Sequence, residues 1–321
     1  MSDILETQPE LPSEITEAAK DGRLVLFVGA GASMMLGMPS WGELAYKALN
    51  SLVEAASIDF SEFEQLKKLD PKKQLSIADF IAREKGGSLN LIQHLIVTRE
   101  SSIYHNINSI KATCVTTNYD HQLKPFPLKK PAKNATAQST IRKSGVDNLQ
   151  AADLKTPGTV IHLHGDMDNP DTMIVTTRDY LAHYDKNKVQ HFLAELFKDY
   201  VVVFIGYGLE EAEILEHIFR RSGVKEPSEE RQRFLLQPFF TSEQSLYDRL
   251  KVYYQKSFDV HLIGYSRDQK NYHQLENVIE LWSLKLNVRP PALVDDLDMI
   301  DRILIKERRF FSLPAPLFNI H

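Results

Sequence analysis

Leu24-Val25-Leu26-Phe27-Val28 runs directly into Gly29-Ala30-Gly31-Ala32-Ser33. The first five residues are apolar without alternation, the pattern of a parallel strand covered by helices on both faces. The five that follow are small, so the backbone there can turn sharply and approach an anion closely. A buried strand ending in a small-residue turn is how a phosphate-binding edge of an α/β sheet begins. It is also ordinary turn chemistry. The full G-x-G-x-x-G pattern is absent, because Met34 stands three residues after Gly31.

The same arrangement recurs further along. Ala112-Thr113-Cys114-Val115-Thr116 precedes Thr117-Asn118-Tyr119-Asp120, Val160-Ile161-His162-Leu163 precedes His164-Gly165-Asp166, and Val201-Val202-Val203-Phe204-Ile205 precedes Gly206-Tyr207-Gly208. Phe234-Leu235-Leu236 and Val260-His261-Leu262-Ile263 are two further strand candidates. Helical spacing fills the intervals at Trp41 to Ala55, Leu75 to Arg83 and Gln190 to Phe197. Alternation of strand and helix predicts an α/β fold with a doubly wound, mainly parallel sheet, helices on both faces and a small helical or inserted subdomain. Ligands of such sheets bind beyond the carboxyl ends of the strands, where all four polar clusters fall.

The organisation expected is an extension and helix over 1–23, a main domain over 24–283 with an insert near 121–159, and a tail over 284–321. The insert carries Pro125, Pro127, Pro131 and Pro157, and is too long for a bare connection. Lys124, Lys129, Lys130, Lys133, Arg142 and Lys143 lie in it with no acid between them, the composition of a solvated basic loop or of a phosphate contact. Asp295 to Arg309 has amphipathic spacing and leads into Phe310-Phe311-Ser312-Leu313-Pro314, an apolar tail suited to docking on the domain or on a second copy.

Composition narrows the function classes. The 321 residues include 38 Lys and Arg against 43 Asp and Glu, a net charge of -5 that disfavours nucleic acid as a direct ligand. A single cysteine, Cys114, excludes an internal disulfide and a zinc site built of several thiolates, and fits the cytoplasm. The sequence shows no secretory leader pattern and no apolar run long enough to span a bilayer.

At the strand ends, Asn118 and Asp120 present an amide and a carboxylate suited to ribose hydroxyls or a water; an Asx turn or a helix cap would use them equally well. His162 and His164 alternate about Leu163 and are expected on one face of the strand. His164, at the strand exit, is the better candidate for a general base. Lacking a third ligand at a recognisable spacing, the pair predicts no metal site.

Together the strand–GAGAS, TTNYD, HLHGD and FIGYG motifs, in that order, resemble the Sir2-like domain of bacterial anti-phage defence proteins, over roughly Leu24 to Trp282. The resemblance implies a Rossmann-like fold and NAD+ as substrate. Sirtuin deacylases of this fold hold zinc through four cysteines and carry an arginine after the glycine turn, where this chain reads Gly37-Met38-Pro39-Ser40-Trp41. The likeness is therefore to the zinc-free relatives, NAD glycohydrolases that yield ADP-ribose and nicotinamide and deplete NAD+ during infection. Several of those act as homo-oligomers or beside a HerA-type ATPase. Carried over, Gly29, Ala30, Gly31 and Ser33 would cradle the pyrophosphate, and Asn118 and Asp120, with Thr117, would serve the nicotinamide ribose. His164 would be the catalytic histidine, and Gly206 and Gly208 would approach the adenosine half. The alternative is an inactive subunit that senses NAD or ADP-ribose within an ATPase complex.

Overall fold

The structure is a computed structural model that describes residues 8–96, 102–126, 142–208, 214–216, 218 and 232–286. Seven strands form one sheet: β1 (Leu24–Val28), β2 (Thr113–Thr116), β3 (Arg142–Ser144), β4 (Val160–His162), β5 (Val201–Ile205), β6 (Arg233–Phe239) and β7 (His261–Ser266). Their order across the sheet is β3-β4-β2-β1-β5-β6-β7, and every pairing is parallel. The chain fills one side of β1 with β2, β3 and β4, the last inserted between the other two, and returns through β5 to build the other side, so the switch point lies between β1 and β5. A doubly wound sheet opens its ligand crevice there.

Uniformly apolar strands follow from the layers. Leu24, Leu26 and Val28 face one helical layer and Val25 and Phe27 the other, so both residue parities must be hydrophobic. The first layer is α1 (Ser13–Lys20), α6 (Ser102–Ile110) and α10 (Gln274–Leu286), whose Ile15, Ile107, Val278 and Trp282 pack on the sheet. The second is α7 (Thr177–Tyr184), α8 (Asn187–Asp199) and α9 (Gln244–Phe258), which contribute Tyr180, Phe192, Leu196 and Tyr247. Each large apolar side chain buried this way stabilises the fold by about 1.5–3 kcal/mol relative to exposure.

After the short α2 (Ala30–Met34), three helices form a separate core: α3 (Trp41–Glu54), α4 (Phe60–Leu66) and α5 (Pro71–Glu84). Their starts are fixed locally, by capping boxes Ser40/Glu43 and Asp59/Glu62 and by Asp70 ahead of Pro71. Tyr119 and Met173, from the loops that leave β2 and β4, join this core, so the helical layer rests on the carboxyl edge of the sheet.

The six strand candidates are all present, with ends displaced by three residues at most; β3 is additional. It comprises three half-buried residues, Arg142-Lys143-Ser144, at the sheet edge, and so lacks the apolar run that marks the others. Within the basic group, Lys143 lies 3.8 Å from Asp153 and Arg142 donates to the Leu123 carbonyl. Lys129, Lys130 and Lys133 fall outside the described residues, as do the 295–309 helix and the apolar tail. Among the described residues no helix is long and apolar enough to cross a membrane.

Candidate active site

The two turns at the switch point interlock. Gly29 and Gly31 donate their backbone N–H groups to the Ile205 and Gly206 carbonyls, at 2.9 and 2.8 Å. A Cβ on Gly29 or Gly31 would lie 2.6 or 2.8 Å from the Gly206 oxygen, and Gly206, at φ +59°, would bring one within 2.5 Å of the Ala32 nitrogen. These glycines thus serve a close approach of two backbones. Two amides of the first turn are already committed to β5; Ala30, at its tip, is exposed, and so is Gly208 beyond the second turn.

Beneath the first turn lies a buried polar network. Thr116 Oγ1 donates to the Val28 carbonyl at 2.7 Å and accepts from the Asn118 N–H at 3.0 Å, tying the exits of β1 and β2 together. Asn118 Nδ2 lies 2.9 Å from both the Gly29 carbonyl and Ser33 Oγ, and 3.3 Å from the Tyr104 hydroxyl. Ser33 Oγ donates to Asp120 Oδ2 at 2.7 Å and lies 2.6 Å from the Tyr104 hydroxyl. With its proton directed to a carboxylate, Ser33 faces inward and the pyrophosphate role expected of its hydroxyl has no free donor. Asp120 Oδ1 accepts from the Gln122 N–H, so the Asx turn and the network coexist on one carboxylate. Burial, with Asp120 nearby, raises the Tyr104 pKa, so the phenol stays protonated. Thr117, half-buried, borders this network.

The two histidines separate, contrary to the expectation of one shared face. β4 ends at His162, and Gly165 turns at φ +80°, where a side chain would meet the Thr172 carbonyl at 2.2 Å; strand alternation stops before His164. His162 Nδ1 donates to the Asn118 carbonyl at 3.0 Å, and its Nε2 has no hydrogen-bond partner among the described residues. His164 turns toward α7, its Nε2 2.8 Å from the Tyr184 hydroxyl and its ring edge-on to Tyr180, His183 and Tyr184. Both rings are closed off, at 2 % and 1 % exposure. Burial lowers both pKa values, that of His164 to well below 6.5 with help from His183 and Lys72, so both imidazoles are neutral at pH 7. His183 is buried with neither ring nitrogen partnered among the described residues, and burial lowers its pKa to about 4.

Four participants carried no motif. Tyr104, His183 and Tyr184 sit on core-facing positions of α6 and α7. A tyrosine among Ile103, Ile107 and Ile110 needs a partner for its hydroxyl, and that was the available signal. His121 is the fourth. With Asp166 and Asp168 it brings ligand-type atoms within 4.8 Å of one another, a grouping that the histidine spacing did not reveal. Asp166 Oδ1 there accepts from the Asp168 and Asn169 N–H groups, and the positive charge of Arg142 is felt by the same carboxylates.

Residues 112–263 match the model of the SIR2-like domain. The chain is 24% identical over 262 residues to the NAD(+) hydrolase ThsA of Enterococcus faecium, covering 76% of this chain and 50% of that protein. It is 22% identical over 233 residues to the ThsA of Bacillus cereus (strain MSX-D12), covering 70% and 44%, and 24% identical over 214 residues to the defense-associated sirtuin 2 of Bacillus subtilis, covering 62% and 19%. The chain spans half or less of the length of these curated relatives.

Proposed function

We propose that this chain, which carries a SIR2-like domain, hydrolyses NAD+ at the nicotinamide–ribose bond, releasing ADP-ribose and nicotinamide, and that depletion of NAD+ is its part in anti-phage defence. The observation that carries the reading is the Asn118–Ser33–Asp120 network, buried beneath the interlocked glycine turns at the switch point. The relatives named NAD(+) hydrolase support the substrate.

In this reading the C1′–N bond breaks and its electron pair returns to the nicotinamide ring, cancelling the ring's positive charge. Water then adds to C1′ and surrenders a proton. A cationic leaving group needs little acid assistance, so the protein's task is to hold the ribose and stabilise developing positive charge. The backbone about Ala30 and the Gly206–Gly208 turn take the pyrophosphate and adenosine side. Asn118 orients the water or a ribose hydroxyl, with Thr117 beside it, while the buried carboxyl group of Asp120 faces the developing charge at C1′. His164 is the proposed base, a neutral imidazole that must exchange the Tyr184 hydroxyl for substrate; contacts of this kind commonly rearrange on binding. His162 is the second reading, favoured by its bond to the Asn118 carbonyl and by an Nε2 without a hydrogen-bond partner among the described residues.

The deciding experiment incubates the purified full chain with NAD+ and follows free nicotinamide, with and without a HerA-type ATPase. Stoichiometric nicotinamide and ADP-ribose support the reading. Tight ADP-ribose binding with no nicotinamide in either case would replace it with the sensor alternative. Homo-oligomerisation and a cytoplasmic location belong to the same proposal, and the mass of the chain in solution, with and without residues 295–321, tests the former.

A further inference from the structure

The Asn118 carboxamide is engaged on one side only. Its nitrogen faces three oxygens, the Gly29 carbonyl and Ser33 Oγ at 2.9 Å and the Tyr104 hydroxyl at 3.3 Å. A carbonyl can only accept, so the group next to Gly29 must be the NH2 end, and the orientation of the amide follows from chemistry. No described residue donates to its Oδ1, and Asn118 keeps 9 % exposure.

Proton bookkeeping fixes the remainder. Ser33 has one proton, and the 2.7 Å contact to Asp120 Oδ2 takes it. Ser33 Oγ therefore accepts from Tyr104, at 2.6 Å, and Tyr104 must be the donor in that contact. The phenol oxygen, with its proton so directed, presents lone pairs to Asn118 Nδ2. Tyr104 is 2 % exposed and comes from α6, in the opposite layer from the α7 cluster around His164.

We propose that Tyr104 is the positioning residue for Asn118: with Ser33 it holds the carboxamide nitrogen inside the protein, so that the amide oxygen alone is offered to a ligand. Asn118 thereby acts as an acceptor, and the ligand group it recognises is a donor, a ribose hydroxyl or the attacking water. This rests on the NAD+-hydrolase reading for the identity of the ligand, while the orientation of the amide does not.

Tyr104→Phe keeps the ring and removes only the hydroxyl. In the full chain, kcat for nicotinamide release should fall about tenfold with KM for NAD+ changed less than about twofold, the size expected of one neutral hydrogen bond. ADP-ribose affinity should fall in the same variant, and that effect should vanish when Asn118→Ala is already present, because a residue acting through Asn118 has nothing left to position. An undiminished Tyr104→Phe effect on affinity in the Asn118→Ala background, or full kcat in the single variant, overturns the proposal. Asparagine-selective 15N labelling gives a readout that needs no activity. The Asn118 NH2 signals, assigned by their loss in Asn118→Ala, should shift in Tyr104→Phe, and unmoved signals overturn the proposal even if the wild-type protein cleaves nothing. A wild-type chain that neither binds ADP-ribose nor cleaves NAD+, but whose Asn118 signals do shift, removes the hydrolase reading and retains the lock. Should Tyr104→Phe fail to fold, Asn118→Asp serves instead. It puts a carboxylate against the Gly29 carbonyl and should melt below Asn118→Ala; an equal or higher melting temperature overturns the proposal.

Discussion

Two buried polar clusters lie at the carboxyl edge of one sheet and are built on opposite principles. Around Asn118, each hydroxyl, amide hydrogen and carboxylate oxygen that faces inward has a partner among Ser33, Tyr104, Asp120, Gln122 and Gly29. Around His164 pack Tyr180, Tyr184 and an imidazole, His183, with both nitrogens unpartnered among the described residues. A saturated network resists rearrangement, because moving any member strands another in a low-dielectric interior. A neutral imidazole such as His183, with no hydrogen-bond partner among the described residues, has little to lose by changing its surroundings. On the proposed function, the first site would hold a geometry and the second would exchange a proton.

The largest effect that would break this contrast is in turnover. Asn118→Ala and His164→Ala should each reduce nicotinamide release by about 10²- to 10⁴-fold while the fold is retained. His162→Ala is the control that discriminates between the two bases: a loss of that depth in His162→Ala, with full activity in His164→Ala, moves the base to His162. Ser33→Ala is next. It strands Asp120 and one contact of Asn118, and should cost about 1–3 kcal/mol of stability, read from denaturant unfolding; an unchanged midpoint would mean the network is slack.

Acid sharpens the comparison at smaller cost. The folded-state pKa of His183 is lowered from 6.5 to about 4, and those of His162 and His164 are lowered too, so the unfolded chain binds protons that the folded chain refuses. Stability is complete above pH 6.5 and declines as pH falls below it, by about 1.4 kcal/mol per pH unit for each such imidazole until its folded pKa is reached. Melting temperatures between pH 7.5 and 5 check the sign; a flat profile refutes it. The smallest effect is expected of His183→Leu. Replacing an unpartnered buried imidazole with a hydrocarbon should be neutral to stabilising near pH 7 and should reduce the acid slope by one imidazole's share.

The sheet was legible because five-residue apolar runs such as Val201–Ile205 have few alternatives, and the strand-end clusters lay where the sheet required them. β3 was not, since an edge strand of Arg142, Lys143 and Ser144 carries no hydrophobic signal. In the site, Asn118 and Asp120 were visible as a pair and Ser33 as part of the glycine turn, but the inward turn of Ser33 that joins them was not, because it depends on Tyr104, 71 residues away in the chain. The parting of His162 from His164 was hidden for another reason. It follows from the end of β4 at His162: Leu163 and His164 already lie in a turn, where the alternation used to align the two no longer applies.

The interlocked glycine turns also fix how that corner of the molecule breathes. Loop amides ordinarily trade their hydrogens for deuterium quickly, yet those of Gly29 and Gly31 are bonded across to the Ile205 and Gly206 carbonyls, with Tyr207 crowded against Gly29. Their exchange then requires β1 and β5 to part, which is an opening of the central sheet itself. The deuterium clock of a nominal loop should run as slowly as that of the deepest strands, before any nucleotide is added.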